Sequence, residues 1–262
     1  MHFIDTHSHI DAAEFNGDRD EAIARARAAG VSKIFVPAID LPSINNVLEV
    51  CNRYPNYLFP MIGLHPEEVR DDWADVLAKM KARLDSPEGS NFIAIGEVGL
   101  DYYWSHEYEK EQLEVFERQV EWSIETGLPL MIHCRKAQNE MVRLLRRYAG
   151  NLPGGVFHCF TGNEHEAAEL LEFPGFMLGI GGVLTFKKSH LPEVLRSVPP
   201  ERIVLETDSP YMAPVPMRGK RNESAFVEYV LLRLAEVYDL TPERLAEITN
   251  ANVEKVFPRC AV

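Results

Sequence analysis

The stretch FIDTHSHID at residues 3–11 decides between two architectures. It opens as a short apolar run and passes at once into polar, imidazole-bearing residues. A doubly wound nucleotide-binding sheet needs a glycine-rich turn at that point, so that phosphate can approach the backbone. THSHID supplies none, and Gly154-Gly155 and Gly181-Gly182 are too isolated to serve instead. An α/β barrel places functional side chains at the C-terminal ends of its strands, and His7-x-His9 suits such an end. Residues i and i+2 of an extended segment point the same way, so both imidazoles can reach one ion. Taken alone, the pair also reads as a polar turn with two exposed histidines.

Working outward, apolar runs rich in Val, Ile and Phe recur at 3–5, 33–37, 57–62, 92–95, 130–133, 155–158, 176–180 and 203–206. Their starts lie roughly 28 residues apart on average, the length of one βα unit. Amphipathic stretches fill the intervals at 18–29, 43–53, 73–84, 109–126, 139–148, 164–171 and 191–197, and two more follow at 224–238 and 242–256. Within 109–126, Leu113, Phe116, Val120 and Ile124 repeat at spacings of three and four, which predicts one buried helix face. Gly30, Gly127 and Gly150 fit positions just past helix ends, and Thr241 with Pro242 fits the start of the last helix. Eight such units predict an α/β fold, a (β/α)8 TIM-type barrel. With no break in composition, residues 1–262 are expected to form a single domain.

A hydrophobic fraction of 46% is enough for a sizeable core and excludes a disordered chain. Forty acidic against 27 basic residues leave a net charge of −13 with histidine neutral, which excludes a protein that coats nucleic acid with its whole surface. A local basic patch or bound metal can still reverse the field. No apolar run approaches the 18 residues of a membrane span, and MHFIDTHSHID has charge and histidine where a secretion signal needs an apolar segment. The four cysteines show no CxxC spacing; free thiols in a reducing cytoplasm are the simplest reading, with Cys134 and Cys159 expected to be buried beside strands.

Metal-ligating residue types gather where the strands end. Asp5, His7 and His9 follow the first, His65 the third, Glu97 and Asp101 the fourth, His133 and His158 the fifth and sixth, and Glu206 with Asp208 the eighth. Five of the nine histidines are in this set; His2, His106, His165 and His190 fall outside it as surface or loop residues. Glu97, between two glycines, suits a carboxylate that gives one oxygen to each of two divalent ions, or else a salt bridge. Asp208 can be ligand and general base together. Glu206 and Asp5 read either as ligands or as partners that orient an imidazole. His65, fixed by Pro66, either contacts a substrate phosphate or caps a helix.

These residues resemble the TatD-related metal-dependent deoxyribonucleases of the amidohydrolase superfamily. The matching stretches are FIDTHSHID (3–11), IGLHP (62–66), IGEVGLDYY (95–103), LPLMIHCRKA (128–137), VFHCFTG (156–162), GIGGVLTFK (179–187), ETDSPYMAPVPMRGKRNE (206–223) and ITNANVEKVF (248–257), so the resemblance covers nearly the whole chain. It implies a distorted (β/α)8 barrel in which His7, His9, Glu97 and Asp208 hold one ion, and Glu97, His133 and His158 the second. It also implies magnesium- or manganese-dependent hydrolysis of DNA, commonly 3′→5′ exonucleolytic, with RNA a further substrate; zinc is the ion such histidines bind tightly. One departure is Lys136, where the family usually has an acidic residue after Arg135.

The expected function is therefore a divalent-metal-dependent 3′-5′ exodeoxyribonuclease with metal-activated water, Asp208 as base, and His65, Arg135 and Arg221 on the substrate. Two ions about 3.5–4 Å apart suit that chemistry, and they leave the site positive despite the acidic chain. Lys187, Lys188, Arg218 and Lys220 fall on the same rim, although residues 218–221 also read as a solvated turn. Tyr102, Tyr103 and Trp104 either stack on a base or close the barrel mouth as an aromatic lid. The rival reading is hydrolysis of a small-molecule amide, lactone or phosphoester at the same binuclear site, but a neutral substrate has no use for a basic rim. DNA, with RNA, is the expected partner; no membrane and no obligate protein partner is expected.

Overall fold

The computed structural model describes residues 1–260, in which eight parallel strands alternate with helices. In chain order these are β1 (Phe3–Asp5), α1 (Arg19–Ala29), β2 (Val31–Pro37), α2 (Ser43–Arg53), β3 (Leu58–Met61), α3 (Trp73–Leu84), β4 (Ile95–Asp101), α4 (Glu109–Thr126), β5 (Leu130–Arg135), α5 (Gln138–Arg146), β6 (Gly155–Phe157), α6 (Glu164–Leu170), β7 (Phe176–Ile180), α7 (Leu191–Leu195), β8 (Ile203–Leu205), α8 (Val227–Tyr238) and α9 (Pro242–Val256). The strands run in sequence order as two arcs, β1-β2-β3 and β4 through β8. Backbone bonds carry the ring across both joints. Gly96 N–H donates to Ile62 (2.8 Å) and Ile93 N–H to Pro60, while Thr6 N–H donates to Leu205 (3.0 Å) and Asp208 N–H to His7 (2.9 Å). This is the (β/α)8 barrel expected from the strand spacing.

Alternation along the strands sorts the core into two layers. One face of the ring turns Ile4, Phe35, Met61, Met131, Val156, Met177 and Val204 into the barrel, where they meet Val253, Val256 and Phe257 of the α9 region. That helix plugs the N-terminal end, so only the end where the strands finish is left open. The opposite faces, including Ile34, Leu130, Ile132, Leu178 and Ile203, pack under the surrounding helices. Each wholly buried Phe or Ile contributes about 1.5–3 kcal/mol relative to exposure. Thr241 caps α9 as expected, accepting from Arg244 N–H.

Four local readings change. β4 starts at Ile95, not at residue 92, and runs through Gly96 and Gly99 to Asp101. A Cβ at either glycine would strike β5, on Met131 at one and on the His133 carbonyl at the other. The buried face of α4 includes Gln112 and Gln119, whereas Leu113 and Ile124 are only half-buried. Gln119 exchanges two bonds with the backbone of Leu64 (2.7 and 3.1 Å), and Gln112 two with Asp101 (2.9 and 3.1 Å). Gly30 and Gly127 end α1 and α4 in the left-handed conformation, but α5 stops at Arg146, well short of Gly150. Finally, the fully buried cysteines are Cys51 and Cys260; Cys134 and Cys159 are partly exposed, and all four are free.

Candidate metal centre

The open end of the barrel is built from the two joints of the ring. At one joint, the fully buried Asp5 carboxylate accepts from Thr207 N–H (2.9 Å) and the Thr207 hydroxyl (2.7 Å), and His9 N–H donates to Ser209 (2.8 Å). These bonds set the His7/His9 segment beside Asp208. At the other joint, Glu97 N–H donates to Ala38 (3.2 Å), and the Glu97 side chain enters the barrel between the two arcs.

Five imidazoles converge on that one carboxylate. Glu97 Oε2 lies 3.2 Å from His7 Nε2 and 3.5 Å from His9 Nε2. Glu97 Oε1 lies 3.1 Å from His133 Nδ1, 3.2 Å from His158 Nε2 and 3.4 Å from His65 Nε2. Asp208 Oδ1 closes the first group at 3.7 Å from His9 Nε2 and 3.9 Å from His7 Nε2. Each oxygen of Glu97 thus faces its own set of nitrogens. Five groups of side chains among the described residues could each hold an ion, among them His7 with Glu97 and His158, His7 with His9 and Asp208, and His65 with Glu97 and His133. Imidazole nitrogen combined with carboxylate oxygen suits zinc, manganese and similar divalent ions.

Of the outer nitrogens, that of His133 is hydrogen-bonded and that of His158 has a carboxylate beside it. His133 Nε2 lies 2.8 Å from Asp101 Oδ2, and His158 Nδ1 lies 3.1 Å from Glu206 Oε1. A carboxylate on the far side of the ring draws the proton outward and leaves the inward nitrogen free as a ligand. His65 is turned the other way. Its Nδ1 accepts from Glu67 N–H (3.1 Å), so the inward Nε2 carries the proton in the neutral ring.

Charge is distributed unevenly among these groups in the metal-free protein. Burial, with His158 adding to it, pushes His7 down to about 3, and burial brings His9 to about 4, so both rings are neutral. Burial also opposes a proton on His133 and His158. The carboxylates of Asp101 and Glu97 outweigh it at His133, raised to about 9, and those of Glu206 and Glu97 at His158, held well above its ordinary value. Burial likewise opposes ionisation of Glu97, yet the surrounding imidazoles hold it well below the usual carboxylate range. Asp208 is raised to about 7, chiefly by burial.

Three turns that leave the site are in the left-handed region without glycine: Lys136 (φ 58°), Cys159 (φ 50°) and Asp208 (φ 57°), after β5, β6 and β8 respectively. Each costs on the order of 1–3 kcal/mol and persists only where surrounding structure enforces it. Here the turns bend the chain away directly beside His133, His158 and Asp208.

The fold therefore brings His7, His9, Glu97, His133, His158 and Asp208 into one cluster, and His65 with them. Arg135 stands at its edge, its guanidinium 3.6 Å over the Tyr103 ring. Arg221 is not drawn in by any contact; it pairs with Asp18 (2.6 and 2.8 Å), donates to the Glu14 carbonyl and covers Phe15. His2, His106, His165 and His190 are exposed. Asp101 had no assigned role in the sequence, although its even spacing from Glu97 along a strand was the available signal. Asn222, within GKRNE, carries no such signal: buried, it donates to the carbonyls of Thr207 (2.8 Å) and Tyr211 (2.6 Å) and holds the Asp208 loop in shape.

The sequence profile of the TatD related DNases matches residues 4–258. The chain belongs to that family. A relative in Bacillus subtilis, the uncharacterized metal-dependent hydrolase YabD, is 38% identical over 97% of this chain and 98% of its own. The 3′-5′ ssDNA/RNA exonuclease TatD of Citrobacter rodentium is 34% identical, with 95% of each chain covered. Among solved structures, YJJV, a TatD homolog from Escherichia coli K12, superposes with a TM-score of 0.89 at 29% identity and 98% coverage of both chains. This TatD-related protein is accordingly a metal-dependent hydrolase, and among its described residues no helix is long and apolar enough to cross a membrane.

Proposed function

We propose that this hydrolase cleaves phosphodiester bonds in DNA, removing nucleotides from the 3′ end of a single strand. In this reading His7, His9, Glu97 and Asp208 hold one divalent ion, and Glu97, His133 and His158 the second. The observation that supports it most is the division of Glu97, with Oε2 facing His7 and His9 and Oε1 facing His133 and His158. When bound, two such ions lower the pKa of water and neutralise a phosphate. Magnesium or manganese suits turnover, and zinc suits tight binding.

The chain's own side chains do the rest. Asp208, with Oδ1 3.7 Å from His9 Nε2 and 3.9 Å from His7 Nε2, is placed to accept the proton of the attacking water while it also ligates. His65 Nε2–H faces the cluster as a donor, suited to a phosphate oxygen. Arg135 has no side-chain hydrogen bond or ion pair among the described residues, so its fork of N–H groups is free for non-bridging phosphate oxygens. Arg221 can reach a phosphate only by exchanging its pair with Asp18, and we assign it to one farther along the strand. Relatives named for ssDNA and RNA support extending the substrate to RNA. Four free cysteines fit a reducing cytoplasm.

Digestion of end-labelled single-stranded DNA with each divalent metal tests this reading. A ladder shortening from the 3′ end is expected. Cleavage of small esters or amides with none of DNA would overturn it in favour of a small-molecule hydrolase.

A further inference from the structure

We propose that Trp104 and Tyr211 are stacking platforms for unpaired nucleobases on opposite sides of the barrel mouth; this rests on the nuclease reading above. β4 and β8 are four places apart in a ring of eight and so face each other across the opening. Each is followed by a loop that holds an aromatic ring out in solvent: Trp104 is 67% exposed and Tyr211 54%. Large aromatic faces left in water are unusual unless something covers them.

Both rings are tied to the candidate metal centre. Tyr211 N–H donates to the Asp208 carbonyl (2.8 Å), Asn222 holds the Tyr211 carbonyl, and the phenol ring stands edge-on to His9 with centroids 6.1 Å apart. On the other side, Tyr103 N–H donates to Asp101 Oδ1 (2.8 Å), the carboxylate whose other oxygen holds His133. Tyr103 then braces Trp104 edge-to-face at 4.8 Å, while Arg135 lies 3.6 Å over the Tyr103 ring and 5.2 Å from the centre of the Trp104 ring. An aromatic lid packed on the mouth does not describe these residues. Of the three consecutive aromatics only Tyr102 is half-buried against the core, its hydroxyl donating to the Glu109 carbonyl.

The chemistry that fits is a planar base with a free π-face beside a phosphate. Every base has such a face, so recognition is tolerant of sequence. Inside a duplex both faces of a base are spent on its neighbours and only the end pair keeps one free, so two platforms can be filled together only by unpaired bases. Arg135 supplies a cation where the backbone would pass, and the two platforms take the bases on either side of the scissile bond. The site selects single strands by stacking and needs no hydrogen-bond readout.

The test compares KM for single-stranded oligonucleotides of normal sequence with strands whose 3′-terminal residues are abasic, using the metal-loaded wild type, Trp104→Ala, Tyr211→Ala and Tyr211→Phe. Removing one stack is expected to raise KM about 5- to 150-fold. Removing the base and the ring together should cost little more than either alone, and Tyr211→Phe should retain the wild-type value. Metal content and melting temperature should stay unchanged. Additive losses from ring and base, or a loss of metal in the alanine variants, would overturn the proposal and leave the rings as loop structure. Normal DNA cleavage with both rings dispensable would sink this inference alone, whereas a wild type that cuts no oligonucleotide would remove the nuclease reading and this one with it.

Discussion

Replacing Asp101 by asparagine is expected to damage the metal centre more than replacing it by alanine. Asp101 Oδ2 faces His133 Nε2 at 2.8 Å and Oδ1 accepts from Tyr103 N–H at 2.8 Å, with the side chain buried. The carboxylate offers only acceptors, so when the ring keeps a single proton it stays on Nε2 and leaves Nδ1 free to ligate. Asparagine keeps the shape and one acceptor but turns an amide N–H toward either His133 or Tyr103. If the acceptor stays with Tyr103, the amide donates to Nε2, the ring proton moves to Nδ1 and the inward lone pair is lost. If the amide flips, two N–H groups oppose each other at Tyr103. Alanine leaves neither conflict, only a Nε2–H without its partner. Partners of this kind are worth about 10- to 100-fold in metal affinity, or roughly 1.4–2.7 kcal/mol. The asparagine variant should lie at the weak end of that range and the alanine variant at the strong end, as read by calorimetric titration of manganese or zinc into the metal-free proteins. Wild-type affinity in Asp101→Asn, or an alanine variant weaker than the asparagine variant, would refute the tautomer argument.

Asp208→Asn should still hold at least one ion but hydrolyse DNA about 10²–10⁴-fold more slowly, the usual worth of a positioned base; single-turnover rates with metal content measured alongside check it. Metal affinity should rise with pH between 7 and 9, because the proton that His133 holds up to about 9 must leave before Nδ1 can ligate; calorimetry in buffers of different ionisation enthalpy should show proton release at pH 7, and none at pH above 9.5 from this group. Gln119→Ala strands a buried N–H and C=O of Leu64 and should cost about 2–4 kcal/mol in a urea melt. Arg135→Ala should raise KM for a single strand with melting unchanged, while Arg221→Ala, which breaks a partly exposed pair with Asp18, should destabilise by about 1 kcal/mol or less; loss of melting stability in Arg135→Ala would show that its contact with Tyr103 is structural.

The barrel was legible because its signals are local. An apolar run ending in HxH, and ligand types recurring wherever such a run stops, survive without knowledge of the rest of the molecule. What escaped depends on contacts that the residues flanking a position do not reveal. Gln112 and Gln119 read as the solvent face of α4, since a buried glutamine is favourable only where a backbone segment lacks a strand partner, as at Leu64 and at Asp101. The run at 92–95 stops short of Gly96 and Gly99 because the neighbour that demands those glycines, β5, is thirty-odd residues away. Arg221 looked free for substrate; its partner Asp18 is 203 residues distant and nothing in GKRNE announces it. His65 was placed by its proline, yet the direction of its ring proton comes from Glu67 N–H, a bond visible only in three dimensions.

The two joints of the ring have a consequence for how the molecule comes apart. His7 and His9 come from the arc β1–β3, whereas Glu97, His133, His158 and Asp208 come from the arc β4–β8 or its end. An ion shared between these donors would act as a rivet through both arcs at once, at the places where regular ladder pairing gives way to isolated bridges, Ser8 with Ser209 and Ile62 with Ile95. Chelation would then do more than silence the active site. It would loosen the barrel along two lines, and amide exchange at Thr6, His9, Ile62 and Gly96 would quicken while the middles of β5 to β7 kept their protection. In such a molecule the catalyst and the last fastening of the fold are one object.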